Sequence, residues 1–256
     1  ELNHLNINIL RNRESQGYGG NQKIGFHYAI KNQFNTLVVF PPDGKYSLSH
    51  IQLLIEMFKD SGVDMVLGSR INTGLTAIKN RMPVVRYLGI RLLTGFQNII
   101  LGTQFSDLHS CFRAYRLKEL KNIPFHLNTN DYHFDTEIFI QFLLKKLLIK
   151  EVHTPIYYES GLPSNRGLKY AWDVFITTLT PFFHQISLFY ERKYDVVEGN
   201  SKYSLKIGFA SSHQYAINNI SSGSKVLDIG CGDSLVGQEL RKKKCYLESI
   251  DAEDPT

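Results

Sequence analysis

The chain of 256 residues is 43% hydrophobic and 21% charged, a balance that excludes wholesale disorder and leaves room for one or two folded domains. A net charge of +5 is a mild excess that suits phosphate-bearing substrates, an anionic membrane surface or nucleic acid equally, and decides among none of them. Cys111, Cys231 and Cys245 are too few and too dispersed for a disulfide framework or a CxxC metal site, which argues for a reducing compartment, and no apolar run reaches the roughly 18 residues needed to span a bilayer.

In chain order, Leu5, Ile7 and Ile9 alternate with Asn6 and Asn8 as in a half-buried strand, and without an initiating Met this strand reads as lying inside a domain whose start is cut away. Gln16-Gly-Tyr-Gly-Gly-Asn21 is a glycine-rich turn leading into a helix over 21–32. Thr36-Leu-Val-Val-Phe40 is a short strand, Pro41-Pro-Asp-Gly-Lys45 has turn chemistry, and Ile51, Leu54, Ile55 and Phe58 recur at helical spacing before a buried strand at Val63-Asp-Met-Val-Leu67. Strand, helix and strand at this spacing predict a βαβ unit in a mostly parallel sheet, with ligands at the carboxyl ends of the strands. The stretches 41–45 and 68–70 occupy those ends.

Residues 83–101 and 134–148 predict amphipathic helices, and 149–158 a strand interrupted by Pro155, as at an edge or a bend. From 168 to 190 apolar residues recur in a broad helical stripe that includes Trp172, the only tryptophan. Core packing is its ordinary reading; the other is a helix lying on a membrane face, with Lys169, His184, Arg192 and Lys193 on its polar side. Between 195 and 223 the pattern weakens around one helical stretch within 203–220, which marks a domain boundary. Beyond it, 225–229, 235–243 and 246–250 read as strand, helix and strand.

Several residues in this frame can carry chemistry. Asp43, followed by Gly44 at a strand end, can reach a metal-diphosphate or a sugar hydroxyl, and Arg70 brings a guanidinium to the next strand end. Asp107-Leu-His-Ser-Cys-Phe-Arg113 sets a carboxylate and a guanidinium six residues apart, and Phe134-Asp-Thr-Glu137 brings two acids to a helix start. His109, His126, His133 and His153 lack metal-site spacing.

Taken in order, Gly17-Tyr-Gly-Gly-Asn21, Val38-Val-Phe-Pro-Pro-Asp-Gly-Lys-Tyr46, Val66-Leu-Gly-Ser-Arg70, Asp107-Leu-His-Ser-Cys-Phe-Arg-Ala-Tyr115, Phe134-Asp-Thr-Glu137, Glu151-Val-His-Thr-Pro-Ile156 and Asn165-Arg-Gly-Leu-Lys169 resemble the family 2 glycosyltransferases, in the dolichyl-phosphate mannose synthase-like, polyprenyl-phosphate-using branch. The resemblance implies a GT-A-type, Rossmann-like α/β fold that binds a nucleotide-sugar and transfers the sugar with inversion. It implies Asp107, Arg113 and Glu137 as catalytic residues and Gly17, Asp43, Lys45 and Arg70 as donor-binding. It also implies Arg166 and Lys169 as binding the acceptor phosphate, and Asp43 as ligand to Mg2+ or Mn2+. Three positions depart from the family pattern: Pro41 replaces the first acid of the Asp-x-Asp metal motif, Lys45 stands where relatives often carry Gln, and Cys111 replaces Gly. Loss of one metal ligand and gain of a nearby cation predict weakened metal dependence, with Lys45 sharing the stabilisation of the leaving diphosphate.

Val226-Leu-Asp-Ile-Gly-Cys-Gly-Asp233 resembles motif I of the class I S-adenosylmethionine-dependent methyltransferases. That resemblance implies Asp228, Gly230, Gly232 and Asp251 as binding S-adenosylmethionine and covers only the last 35 residues or so, an incomplete Rossmann-like βαβ unit. The expected organisation is therefore a glycosyltransferase domain at 1–195 without its first strand and helix, a linker at 196–222, and the opening of a methyltransferase at 223–256. The expected activity is transfer of a sugar from a nucleotide-sugar to a polyprenyl phosphate or glycan acceptor. It is placed in the cytoplasm, with peripheral contact at the inner face of the membrane and no nucleic acid partner. The rivals are a non-catalytic nucleotide-sugar-binding or scaffold module, and a protein whose main activity is methylation.

Overall fold

The glycine run at 17–20 is the first turn of a helix rather than a loop before one. In the computed structural model, which describes residues 8–41, 46–59, 62–71, 76–154, 156, 167–185, 190–196, 212–229, 231 and 235–250, α1 spans Gly17–Lys31. A Cβ on Gly19 would stand 2.4 Å from the Thr129 carbonyl oxygen and 2.8 Å from the Phe134 Cβ, so only glycine lets this turn seat against the 129–134 segment. The expected strand near the start is not seen: residues 8–16 form no strand and Ile9 is exposed, while Leu5 and Ile7 lie outside the described residues.

After α1 come β1 (Thr36–Val39), α2 (Ser49–Glu56), β2 (Val63–Ser69), α3 (Thr76–Lys79), α4 (Val84–Leu101), β3 (Arg113–Arg116), α5 (Leu117–Leu120), α6 (Phe134–Leu144), β4 (Leu148–His153) and α7 (Gly167–Gln185). The four strands form one sheet in the order β1-β3-β2-β4. β3 runs antiparallel to both β1 and β2, and β4 runs parallel to β2. The sheet is therefore mixed, which corrects the expectation of a mostly parallel one. β1 and β2 do run in the same direction, but β3 lies between them. Its four residues, Arg113-Ala-Tyr-Arg116, are too short and too charged to read as a buried strand in sequence.

Side-chain alternation sends the strands into two cores. On one face Met65, Leu67 and Tyr115 pack with Phe26 and Ala29 of α1 and with Phe134, Ile138 and Phe139 of α6. On the other, Val66 and Ala114 meet Leu54 of α2 and Ile90 of α4. A register shift between Val63 and Met65 puts Val63 in this second core as well. α6 is buried continuously from Phe134 to Phe142, which explains why it is apolar all round.

The chain divides into two compact units, Glu1–Val196 and Val197–Thr256. In the second, α8 (Ser212–Asn219), β5 (Lys225–Ile229), α9 (Leu235–Lys242) and β6 (Tyr246–Ile250) form a βαβ unit whose two strands pair in parallel. Ile217, Leu240 and Cys245 are buried, whereas Leu227, Ile229, Tyr246 and Ile250 are exposed.

Candidate active site

Arg113 is the common register point of the sheet: Val39 of β1 and Leu67 of β2 both pair with it. Because β4 is parallel to β2, with Ser69 opposite His153, the carboxyl ends of β1, β2 and β4 share one edge. The loop 107–112 enters β3 at that same edge. Phe40 and Pro41 leave β1 there, and Arg70 directly follows β2. Asp43 and Lys45 lie outside the described residues.

β2 reaches this edge through Gly68, whose N–H donates to the Phe112 carbonyl at 2.9 Å. A Cβ on Gly68 would lie 2.7 Å from Phe112 Cδ1 and 3.0 Å from the Phe112 carbonyl oxygen. This close approach brings Arg70 onto the loop. Its Nε donates to Asp107 Oδ2 at 2.7 Å and its Nη2 to Asp107 Oδ1 at 2.9 Å, a two-point pair in which both residues are buried. The His109 N–H adds a bond to Oδ1 at 3.0 Å. Burial alone pushes the Asp107 carboxyl up, but the Arg70 charge and hydrogen bonds outweigh it and hold the group at about 2.

Glu151 of β4 fixes the same loop from below, accepting the backbone N–H of Ser106 and of Asp107 at 3.0 Å each. Arg113 fixes it from within. Its guanidinium is fully buried and donates to the carbonyls of Ser110 at 2.9 Å, Leu108 at 2.7 Å and, at the start of α6, Asp135 at 2.6 Å. The carboxylate of Asp135 accepts from Tyr18 Oη at 2.6 Å and from Gln22 Nε2 at 2.9 Å. Glu137, two residues on, points elsewhere: its Oε2 accepts the Thr129 N–H at 2.6 Å and its Oε1 pairs with Lys193 Nζ at 3.0 Å. Two residues along a helix is about 200° of rotation, so the two acids of one motif serve different neighbours.

His109 Nδ1 meets Tyr170 Oη of α7 at 2.9 Å, while Nε2 is buried with no hydrogen-bond partner among the described residues. Burial depresses this imidazole to about 4, with the Asp107 charge opposing and those of Arg70 and Arg113 adding, so it is neutral near pH 7. Burial and then the Asp135 charge push the Cys111 thiol up, which keeps it protonated and a poor nucleophile.

The structure thus brings Arg70, Asp107 and Arg113 together and sets Glu137 apart on the far side of α6. Gly17 has φ of +74° and packs against the Asn130 carbonyl, a helix-seating role. Lys169 is exposed near the start of α7 and pairs with Asp173 at 2.8 Å and Asp131 at 3.5 Å. Arg166 lies outside the described residues, as do Gly230, Gly232 and Asp251, which leaves Asp228 on β5 as the described member of the cofactor set. Among the described residues no three His, Cys, Asp or Glu side chains form a metal cluster, and the predicted ligand Asp43 is not one of them. Sequence reasoning weighed His109 only as a metal ligand and Asp135 only as one of two acids at a helix start, and it gave no role to Tyr18 and Glu151, which stand inside quoted motifs, or to Tyr170, which does not. A cavity of about 440 Å³ lies away from this cluster, lined by residues 10–15 and by Asn21, Ile24 and Gly25 of α1.

No protein-family model matches the chain. It is 24% identical over 153 residues to the undecaprenyl-phosphate mannosyltransferase of Micrococcus luteus, covering 59% of this chain and 60% of that protein. It is 25% identical over 171 residues to the UDP-N-acetylglucosamine–dolichyl-phosphate N-acetylglucosaminyltransferase of Methanococcus voltae, covering 66% of this chain and 67% of that protein. The chain is a relative of glycosyltransferases. Among solved structures it is similar to glucosyl-3-phosphoglycerate synthase from Mycobacterium tuberculosis in complex with uridine diphosphate, with a TM-score of 0.49 and 15% identity over 67% of this chain and 56% of that one. The chain thus spans about two thirds or less of the length of these proteins.

Proposed function

We propose that the first unit is the catalytic domain of an inverting glycosyltransferase of GT-A type, moving a sugar from a nucleotide-sugar to a polyprenyl phosphate. The sequence motifs left polyprenyl phosphate and a glycan hydroxyl open as acceptors. The observation that favours phosphate is that, among the described residues, the carboxylates nearest loop 107–113 are engaged, Asp107 by Arg70, Glu151 by two backbone N–H groups and Asp135 by Tyr18 and Gln22, while Glu137, set apart from the loop, is held by Lys193 and Thr129. A hydroxyl acceptor needs a base to take its proton, whereas a phosphate monoester is already an anion and needs only to be positioned. In the transfer, a phosphate oxygen of the acceptor forms the new bond to the sugar C1 as the bond from C1 to the diphosphate breaks. The electron pair leaves with the nucleoside diphosphate, and no proton moves to or from the protein.

In this reading Asp107, Arg113 and Glu151 are positioning residues. They hold the loop rigid at the strand ends, where preorganised donors do most for a developing charge. His109 Nε2, Lys45 and Arg166 are assigned to the phosphates of donor and acceptor, and Asp43 to the metal ion that would bind the diphosphate. When bound, Mg2+ or Mn2+ would neutralise the diphosphate; with Pro41 in place of the first acid, Lys45 shares that task. Transfer of labelled sugar from UDP- or GDP-sugars to polyprenyl phosphate in detergent tests the proposal. Binding of nucleotide-sugar without transfer would favour the scaffold reading.

The parallel β5–α9–β6 unit supports a second assignment, the opening of an S-adenosylmethionine-binding methyltransferase module. Binding of S-adenosylmethionine by a protein carrying this unit within a complete domain tests it, and failure to bind would leave the unit a generic α/β element.

A further inference from the structure

The first two turns of α7 are tied down on two sides. Toward α6, Lys169 pairs with Asp173 at 2.8 Å and Asp131 at 3.5 Å, and His133 Nδ1 lies 3.7 Å from the Asp173 carboxylate. Lys169 and Asp131 are exposed, and surface pairs of this kind lend little hold. Toward the sheet, Tyr170 Oη meets His109 Nδ1 at 2.9 Å, in a part-buried contact with the two rings edge to face at 5.7 Å. This second tie joins α7 to the loop at the carboxyl edge of the strands. His109 is itself anchored there, its main-chain N–H donating to Asp107 Oδ1 at 3.0 Å.

The chemistry of the pair decides where its hydrogens sit. Burial depresses the imidazole to about 4, so near pH 7 it carries one ring proton. Burial and then the Asp135 charge push the Tyr170 phenol up, so it keeps its hydrogen. A phenol O–H is a better donor than a neutral imidazole N–H, and a bare imidazole nitrogen is a better acceptor than a phenol oxygen. Tyr170 Oη therefore donates to Nδ1, and the ring proton belongs to Nε2. That nitrogen is buried with no hydrogen-bond partner among the described residues. A buried N–H left unmet is costly, and a phosphate oxygen would relieve it.

We propose that Tyr170 is a positioning residue for the acceptor phosphate: acting through His109, it sets the imidazole in the Nε2–H tautomer and holds the first turn of α7 in register with loop 107–113. Lys169 stands in that turn and Arg166 directly precedes it, so the register places the basic groups assigned to the acceptor against the strand ends. The proposal rests on the function proposed above, in which His109 Nε2 and Arg166 meet phosphate. A residue that served only to pack would leave no donor unmet behind it. Here the hydroxyl orients a ring whose far nitrogen has no partner among the described residues, between Asp107 and Arg113 in sequence.

Two readouts test this without sugar transfer. Nitrogen-15 spectra of the histidine-labelled full chain, with the His109 signals identified by their loss in His109→Gln, should show Nε2 protonated and Nδ1 bare. Tyr170→Phe should lose that single tautomer. By calorimetry, farnesyl phosphate should bind Tyr170→Phe about tenfold more weakly than the parent, as the loss of one positioned hydrogen bond implies. Affinity for UDP and GDP should not fall. In a His109→Ala background Tyr170→Phe should add nothing, because it acts through the imidazole. A proton on Nδ1 in the parent overturns the inference, as does a tautomer or a farnesyl phosphate affinity that Tyr170→Phe leaves unchanged. So do failure of farnesyl phosphate to bind the parent, additive effects of the two substitutions, and equal weakening of farnesyl phosphate and nucleotide, which marks a merely structural role. Farnesyl phosphate binding without transfer would sink only the glycosyltransferase reading, and transfer with parental farnesyl phosphate affinity in Tyr170→Phe only the positioning role.

Discussion

Arg70 and Asp107 neutralise one another at the carboxyl edge of β2, at 2.7 and 2.9 Å, with the Asp107 side chain wholly buried. Thirty-seven residues apart, they tie the end of a central strand to the loop that enters β3. A buried pair of this kind is worth little against an apolar replacement of the same shape, yet costs much to break from one side.

Asp107→Asn should therefore destabilise the chain by about 3–5 kcal/mol, because it leaves the Arg70 charge buried and unpaired. Arg70→Met together with Asp107→Leu should cost clearly less than the sum of the single changes. Chemical denaturation of the four proteins in this cycle reads the coupling directly, and additive single effects would show that the pair does not act as a unit.

Acid should loosen the same loop in two stages. His109 sits at about 4 against an ordinary 6.5, burial being the main cause, so it binds fewer protons folded than unfolded. The stability it contributes is whole above pH 6.5 and drains away as the pH falls towards 4. Asp107, at about 2 against 3.8, with the Arg70 interactions overcoming the burial that alone would raise it, adds a further loss below 3.8. The melting temperature should fall over the first window by about 2–4 °C per kcal/mol lost, and His109→Asn should flatten that part of the curve. A variant as pH-sensitive as the parent would remove His109 from the account.

Gly68→Ala should be out of proportion to one methyl group. The new Cβ would meet Phe112 Cδ1 at 2.7 Å and its carbonyl at 3.0 Å, and the backbone bond between the two residues leaves little room to yield. Overpacking of this kind costs about 1–3 kcal/mol, and here it also displaces the loop. Turnover should fall further than the loss of stability explains, at saturating donor.

Chelation should slow transfer without ending it. With Pro41 at the first metal-ligand position and Lys45 nearby in sequence, part of the diphosphate charge is met by the chain itself. Excess chelator should leave measurable activity in the parent and none in Lys45→Ala. Complete loss in the parent would show that the lysine does not share the work.

Much of this was legible in the sequence, and the exceptions have physical causes. β1, β2 and β4 followed from short apolar runs, α4 and α6 from helical periodicity, and Arg70 and Asp107 from their places in quoted motifs. β3 was missed because four residues with arginines at both ends carry no period, and their burial depends on Arg113 finding three carbonyls, those of Leu108 and Ser110 in the loop before it and that of Asp135 on α6. The mixed sheet follows from that one insertion. The stripe of 168–190 was recognised and left between core packing and a membrane face; periodicity shows that one face is apolar and is silent on which face turns inward, and Leu168, Trp172 and Ile176 prove exposed. Glu151 and Asp135 were quoted without a role, since loop capping and a tyrosine partner arise only in three dimensions. Asp43, Lys45, Arg166, Gly230, Gly232 and Asp251 lie outside the described residues, so the metal, acceptor-phosphate and methyl-donor assignments rest on sequence.

The central claim is that an acceptor already anionic lets this site work without a base. Sugar transfer from labelled UDP- and GDP-sugars should be measured side by side with polyprenyl phosphate and with the corresponding polyprenol or a free glycan, in detergent, across pH. The account predicts product with the phosphate acceptor only, inverted at C1, with no loss of rate at neutral to mildly acid pH that tracks a carboxylate base. Transfer to the hydroxyl acceptors at a comparable rate, or nucleotide-sugar binding with no transfer to any acceptor, would contradict it.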